Sequence, residues 1–129
     1  MSKEQDPFYI VLDQIEEMIR NKSQSTDPTI VQFSAYEQDD DGNPINNLME
    51  IPIEGKFKIR QKADEFWGGE DAKDWESPLL DSPTWLDLCM QAEAMMKVTL
   101  DDHHCFLENI TPVSVDDDGT VICEFSMGS

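Results

Sequence analysis

The sequence predicts a single α+β domain over residues 1–129, with element order α-β-β-α-β-β and a four-stranded antiparallel sheet carrying both helices on one face. Three observations lead there. Two segments repeat apolar residues at helical spacing, and each opens with a capping residue followed by proline. Two others alternate apolar and polar residues with the period of a strand. Near the C-terminus, two further apolar runs flank an Asp-Asp-Gly turn.

After a flexible N-terminus (residues 1–5), Asp6 is the expected cap of the first helix, and Pro7 occupies the first helical position, where its missing N–H costs nothing. Phe8, Leu12, Ile15 and Ile19 then form one stripe, widened by Val11 and Met18, which gives a helix over about residues 7–21. A polar loop follows over residues 22–28. Between Ile30 and Tyr36 the alternation sets Val31, Phe33 and Ala35 on one face, against Gln32, Ser34 and Tyr36, as in a half-buried strand. The turn residues 39–44 end it.

Next, Met49, Ile51, Ile53, Phe57 and Ile59 all fall on odd positions, with Glu50, Glu54, Lys56, Lys58 and Arg60 on even ones. Pro52 and Gly55 within this strand imply an edge position or a bulge. Residues 63–82 read as an acidic, Trp-containing loop with a helical turn near residues 64–67. Ser82-Pro83 is the second cap-proline start, and Trp85, Leu88, Cys89, Ala92, Met95 and Met96 form the apolar face of a helix to about Val98. The last strands span about residues 103–115, split by Pro112 and the polar residues 109–111, and residues 120–127. A three-residue loop, Asp117-Asp118-Gly119, would set Val115 opposite Val121 and Val113 opposite Cys123.

Charge narrows the function classes. The chain carries 28 acidic against 9 basic residues, a net charge of −19, with a pI near 4.1. Nucleic-acid phosphate and anionic membranes both select basic surfaces, so neither is an expected direct partner. Three cysteines, none in a CxxC pair, do not form a disulfide framework, and residues 1–6 lack the apolar core of a signal peptide. These features fit a reduced, soluble, cytoplasmic protein.

Few residues form a pattern with chemical consequences. An EF-hand loop built on Glu37, Asp39 and Asp41 would need a bidentate Glu where Leu48 stands, so turn chemistry explains the acidic run. His103, His104 and Cys105 are the main candidates for metal ligation or nucleophilic chemistry. On a strand only His103 and Cys105 would share a face, with Cys123 needed from the next strand and Glu108 nearby. Buried cysteines acting as small hydrophobes are the simpler reading, and no cofactor motif is present.

Two surfaces of opposite sign remain. Lys56, Lys58 and Arg60 form a basic stripe that Lys62 extends, suited to an anion or to cross-strand pairing with carboxylates. Residues 64–81 hold seven carboxylates against one lysine. Asp64, Glu65, Trp67, Glu70, Asp71, Asp74 and Trp75 are therefore candidate contacts for a basic protein. The expected function is a non-catalytic acidic interaction module of inhibitor, immunity, adaptor or chaperone type. Alternatives are a DNA mimic, a small enzyme or metal protein built on His103, His104 and Cys105, and a homodimer formed through the sheet.

Overall fold

The computed structural model describes residues 7–23, 31–101 and 103–128. The Asp6 cap, residues 1–5, most of the polar loop 22–28, and Ile30 lie outside them.

Helix α1 (Pro7–Lys22) buries Ile15 and Ile19, with Val11 and Met18 packed beside them, as its periodicity requires. Strand β1 (Gln32–Phe33) is only two residues long, but the expected faces hold, since Val31 and Phe33 are buried. β2 (Glu37–Gln38) and β3 (Pro44–Ile45) form a separate antiparallel pair around the Asp-rich turn. There Asp39 Oδ1 accepts hydrogen bonds from the backbone N–H groups of Asp41 and Asn43, so this carboxylate shapes the turn.

The predicted long strand from Met49 shrinks to β4 (Lys56–Gln61). Phe57 and Ile59 enter the core as expected, but Met49 is 62% exposed, Ile51 is also exposed, and the apolar residue buried beside them is Leu48, just before the predicted strand. The cause lies in the helix that follows. The carbonyls of Leu48 and Glu50 accept from the N–H groups of Leu86 and Trp85, which have no partner inside their own helix. Those carbonyls are therefore turned away from any sheet ladder.

Residues 63–82 are more ordered than a loop. A four-residue helix, α2 (Glu65–Gly68), is capped by Asp64, and two short strands, β5 (Trp75–Glu76) and β6 (Leu80–Asp81), pair antiparallel with the same edge of β4. Pro78 interrupts this edge because it has no N–H to donate. Ser77 bridges the break. Its N–H donates to Ile59 O, its Oγ accepts from Ile59 N, and its hydroxyl donates to Pro78 O, each at 2.8 Å.

The second long helix, α3 (Trp85–Thr99), starts two residues later than Ser82-Pro83 implies. Thr84 is the cap, and Thr84 and Asp87 make a reciprocal capping box at 3.1 Å in both directions. Ser82 instead adopts a positive φ of 49° and closes a corner with Gly55, accepting from its N–H and donating to its carbonyl.

β7 (Phe106–Val115) and β8 (Val121–Gly128) form the C-terminal hairpin with Val115 opposite Val121. β7 continues through Pro112 rather than splitting. Register shifts fall at Glu108 and Val113, so Pro112 and not Val113 lies opposite Cys123. The bulge accommodates a residue that cannot donate to the ladder.

The sheet is six-stranded and mixed rather than four-stranded and antiparallel. Its order is β1-β7-β8-β4-β5, with β6 also on β4, and the pairs β1–β7 and β4–β8 are parallel. The hairpin thus inserts between β1 and β4. Helical connections allow parallel returns that alternation within a strand cannot reveal. α1 and α3 share one core with Phe57, Ile59, Leu107, Cys123 and Phe125. No described helix is long and apolar enough to cross a membrane.

Replacing Ser77 by Ala strips the buried Ile59 N–H of its acceptor, and an unpaired buried donor costs about 1–3 kcal/mol. Urea denaturation of the Ser77→Ala protein should register a loss in that range. A loss within error would mean that Oγ does not bridge the edge.

Candidate functional site

Four residues make too short a helix to stand alone, so α2 depends on its neighbours. Asp64 Oδ1 accepts from Phe66 N at 2.9 Å, and Asp74 Oδ1 accepts from Ala63 N at 2.8 Å. Lys73 N donates to the Val98 carbonyl at the end of α3. Gly68 packs so closely on α3 that a Cβ there would lie 2.1 Å from the Thr99 carbonyl oxygen. This close approach presses α2 against the C-terminal end of α3.

Thus held, α2 displays its aromatic residues. Phe66 is 81% exposed and Trp67 42%. Phe66 meets Trp67 edge-on at 4.8 Å, and Trp67 stacks on His103 at 4.2 Å with an interplanar angle of 6°. His104 meets Trp67 edge-on at 5.1 Å. The imidazoles are placed by Asp101, just after Leu100 turns the chain out of α3 with φ of 58°. Asp101 Oδ1 accepts from the backbone N–H groups of His103 and His104, and Oδ2 lies 2.8 Å from His104 Nδ1.

Behind this cluster lies a cleft of about 400 Å³ between α2, the end of α3 and the ends of β4 and β8. Polar lining comes from Gln61, Lys62, Asp64, Asp101 and His104, and apolar lining from Trp67, Met95, Phe125 and Met127. In the wall of the cleft, Gln61 Oε1 is closed off from solvent without a hydrogen-bond partner, which costs free energy as long as it persists.

No known protein family, curated protein or solved structure matches the chain.

The acidic candidates divide by position. Asp64, Glu65, Glu70, Asp71 and Asp74 are exposed around α2, and Trp67 joins the cleft, whereas Trp75 is half-buried against the core. His103, His104 and Cys105 precede β7 instead of lying on it, so the alternating faces expected of a strand do not apply to them. Cys123 is buried in β8, and Cys105 packs against the core. Among the described residues, no three His, Cys, Asp or Glu side chains converge to hold a metal ion. All three thiols are free. Burial pushes the Cys89 thiol up to about 12 and raises that of Cys123, which disfavours the reactive thiolate at each.

The basic stripe is partly engaged. Arg60 makes a paired contact with Asp116, at 3.2 and 2.9 Å, and its Nε donates to Glu76 at 2.8 Å. Lys58 also reaches Glu76, at 3.5 Å. These contacts tie the hairpin turn to the β5 edge across the sheet. Lys56 and Lys62 have no ion-pair partner among the described residues.

Sequence reasoning missed the cleft. Gln61 ends β4, while Thr99 and Asp101 lie at and just beyond the end of α3, and only Asp101 gave a local signal, standing three residues before His104. Phe66 stood in the acidic segment, but nothing in the sequence distinguished an exposed ring from a core ring.

Two outcomes follow from this geometry. Gly68→Ala drives a Cβ into a backbone carbonyl that cannot yield without moving α2, so it should destabilise by about 1–3 kcal/mol and change the Trp67 environment by fluorescence. An unaltered protein would contradict the close packing of α2 on α3. The second outcome concerns Glu76, whose carboxyl is held below its ordinary value of 4.5 mainly by the hydrogen bond from Arg60. A depressed folded value gives stability that is full above the ordinary value and fades as pH falls through the depressed one. The stability gap between wild type and Arg60→Gln, from urea midpoints, should therefore be widest near neutral pH and narrow below about pH 4. A gap independent of pH would rule out the ionic contribution.

Proposed function

We propose that this protein is a non-catalytic interaction module that binds a basic protein partner through the α2 face. The exposure of Phe66 carries this reading. An aromatic ring left in water on a four-residue helix forfeits its burial unless a partner covers it. The surrounding acids, Asp64, Glu65, Glu70 and Asp71, form a polar rim of a single sign. The rim steers a basic surface inward, and Phe66 with Trp67 supplies the apolar anchor. Because the backbone of α2 is fastened to α3, the anchor is preorganised, which lowers the entropic cost of docking.

A second reading has one observation in its favour. Asp101 orients His104 in a cleft, the arrangement of a general base. It fits a small enzyme, in which Phe66 would have no role.

Immobilised protein should retain a basic protein from a host lysate at low salt and release it at high salt. Phe66→Ala should weaken retention by about tenfold or more, in the hot-spot range, with the fold unchanged by circular dichroism. Equal retention by Phe66→Ala, or retention indifferent to salt, would refute the α2 face. Loss on His104→Ala alone would favour the enzyme reading.

A further inference from the structure

We infer that the cleft behind α2 is a receptor for a guanidinium group, the pocket into which an arginine side chain of the basic partner inserts. This rests on the interaction reading above and specifies its chemistry. Polar groups facing the cleft are mainly acceptors. Asp64 and Asp101 keep free lone pairs beyond the backbone and imidazole hydrogen bonds they already accept. Gln61 lines the cleft with its Oε1 turned into the wall, closed off from solvent and without a donor, and a turn about its soft terminal torsion exposes that acceptor to a ligand. Three acceptors of this kind suit the five N–H groups of a guanidinium better than the three of an ammonium.

The apolar lining favours the same occupant. Met95 and Phe125 offer a surface for the methylene stem of arginine, and the Trp67 ring stands at the edge for a cation–π contact. A net charge of −19 draws cations into clefts, where the field is focused, and repels anions. Lys62 is the one opposing charge. It is exposed, has no ion pair among the described residues, and its flexible stem can carry the ammonium out into water. That makes its removal diagnostic of the sign of the ligand.

The test uses the full-length protein and three capped amino acids, Nα-acetyl-N-methylamides of arginine, citrulline and glutamate, titrated by NMR with the Trp67 indole and His104 imidazole as reporters. Arginine should give a saturable shift at both reporters in the millimolar range. Citrulline, the uncharged analogue of the same shape, should bind about fivefold or more weakly, the loss of roughly one cation–π or ionic contact. Glutamate should not bind. Lys62→Gln should tighten arginine binding, and Gln61→Met should weaken it without lowering the denaturation midpoint, because it removes an unpaired buried group. No saturable shift with arginine, equal binding of citrulline, or weaker arginine binding in Lys62→Gln would each overturn the inference. Partner retention that depends on Phe66 but survives Gln61→Met would defeat the arginine pocket alone, whereas failed retention with intact arginine binding would defeat the α2 face alone.

Discussion

An α-helix leaves donors unpaired at one end and acceptors at the other, and those of α3 organise much of this fold. The helix is largely buried, with Trp85, Leu86, Leu88, Cys89, Ala92, Met95, Met96 and Thr99 all withdrawn from water. Its end groups therefore need protein partners. At the N-terminal end, Thr84 takes the Asp87 N–H, while Glu50 and Leu48 take those of Trp85 and Leu86. At the C-terminal end, the Leu100 N–H satisfies Met96, the Lys73 N–H satisfies Val98, and Gly68 lies against Thr99. One end thereby fixes residues 48–50, and the other fixes α2. The cleft and the exposed aromatic face are consequences of the second.

The sheet solves a similar problem at its edge. β4 is held by β8 on one side and by β5 and β6 on the other, and that outer edge is broken by a proline. An unbroken open edge invites pairing with another chain. Here Ser77 satisfies the Ile59 backbone across the break, and Glu76 receives Arg60 and Lys58 from β4. Two of the basic residues are thereby spent on holding the sheet together. Exposed ion pairs of this kind contribute modestly to stability, but they fix which carboxylates are paired with a cation and which stay free.

What could be read in the sequence follows the range of the interactions involved. α1, the inward-facing Val31, Phe33, Phe57 and Ile59, the apolar face of α3 and the Val115–Val121 register depend on local periodicity and turn chemistry, and all are as expected. Met49 and Ile51 were misplaced because the same alternation persists when the backbone is captured by a distant helix end. The parallel pairs were missed because direction depends on crossover connections. Ser82-Pro83 carried a sound capping signal, but Thr84 with Asp87 offered two reciprocal bonds where Ser82 offered one. In the candidate site, the acidic aromatic character of residues 64–75 was legible, but the cleft was not. Its α2 wall is brought to the end of α3 by a glycine that lets two helices touch.

The same glycine explains how so acidic a segment can be ordered. Repulsion among Asp64, Glu65, Glu70, Asp71 and Asp74 opposes compaction, and α2 buries no residue of its own. Side-chain packing within the segment therefore cannot hold it. Backbone contacts do, through Gly68 on Thr99, Lys73 on Val98 and the Asp74 carboxylate on Ala63, with Trp75 inserted against the core beside them. These contacts tolerate changes in the outward side chains, because none of them uses Glu65, Phe66, Glu70 or Asp71. The surface most exposed to a partner is thus the one whose composition the fold constrains least.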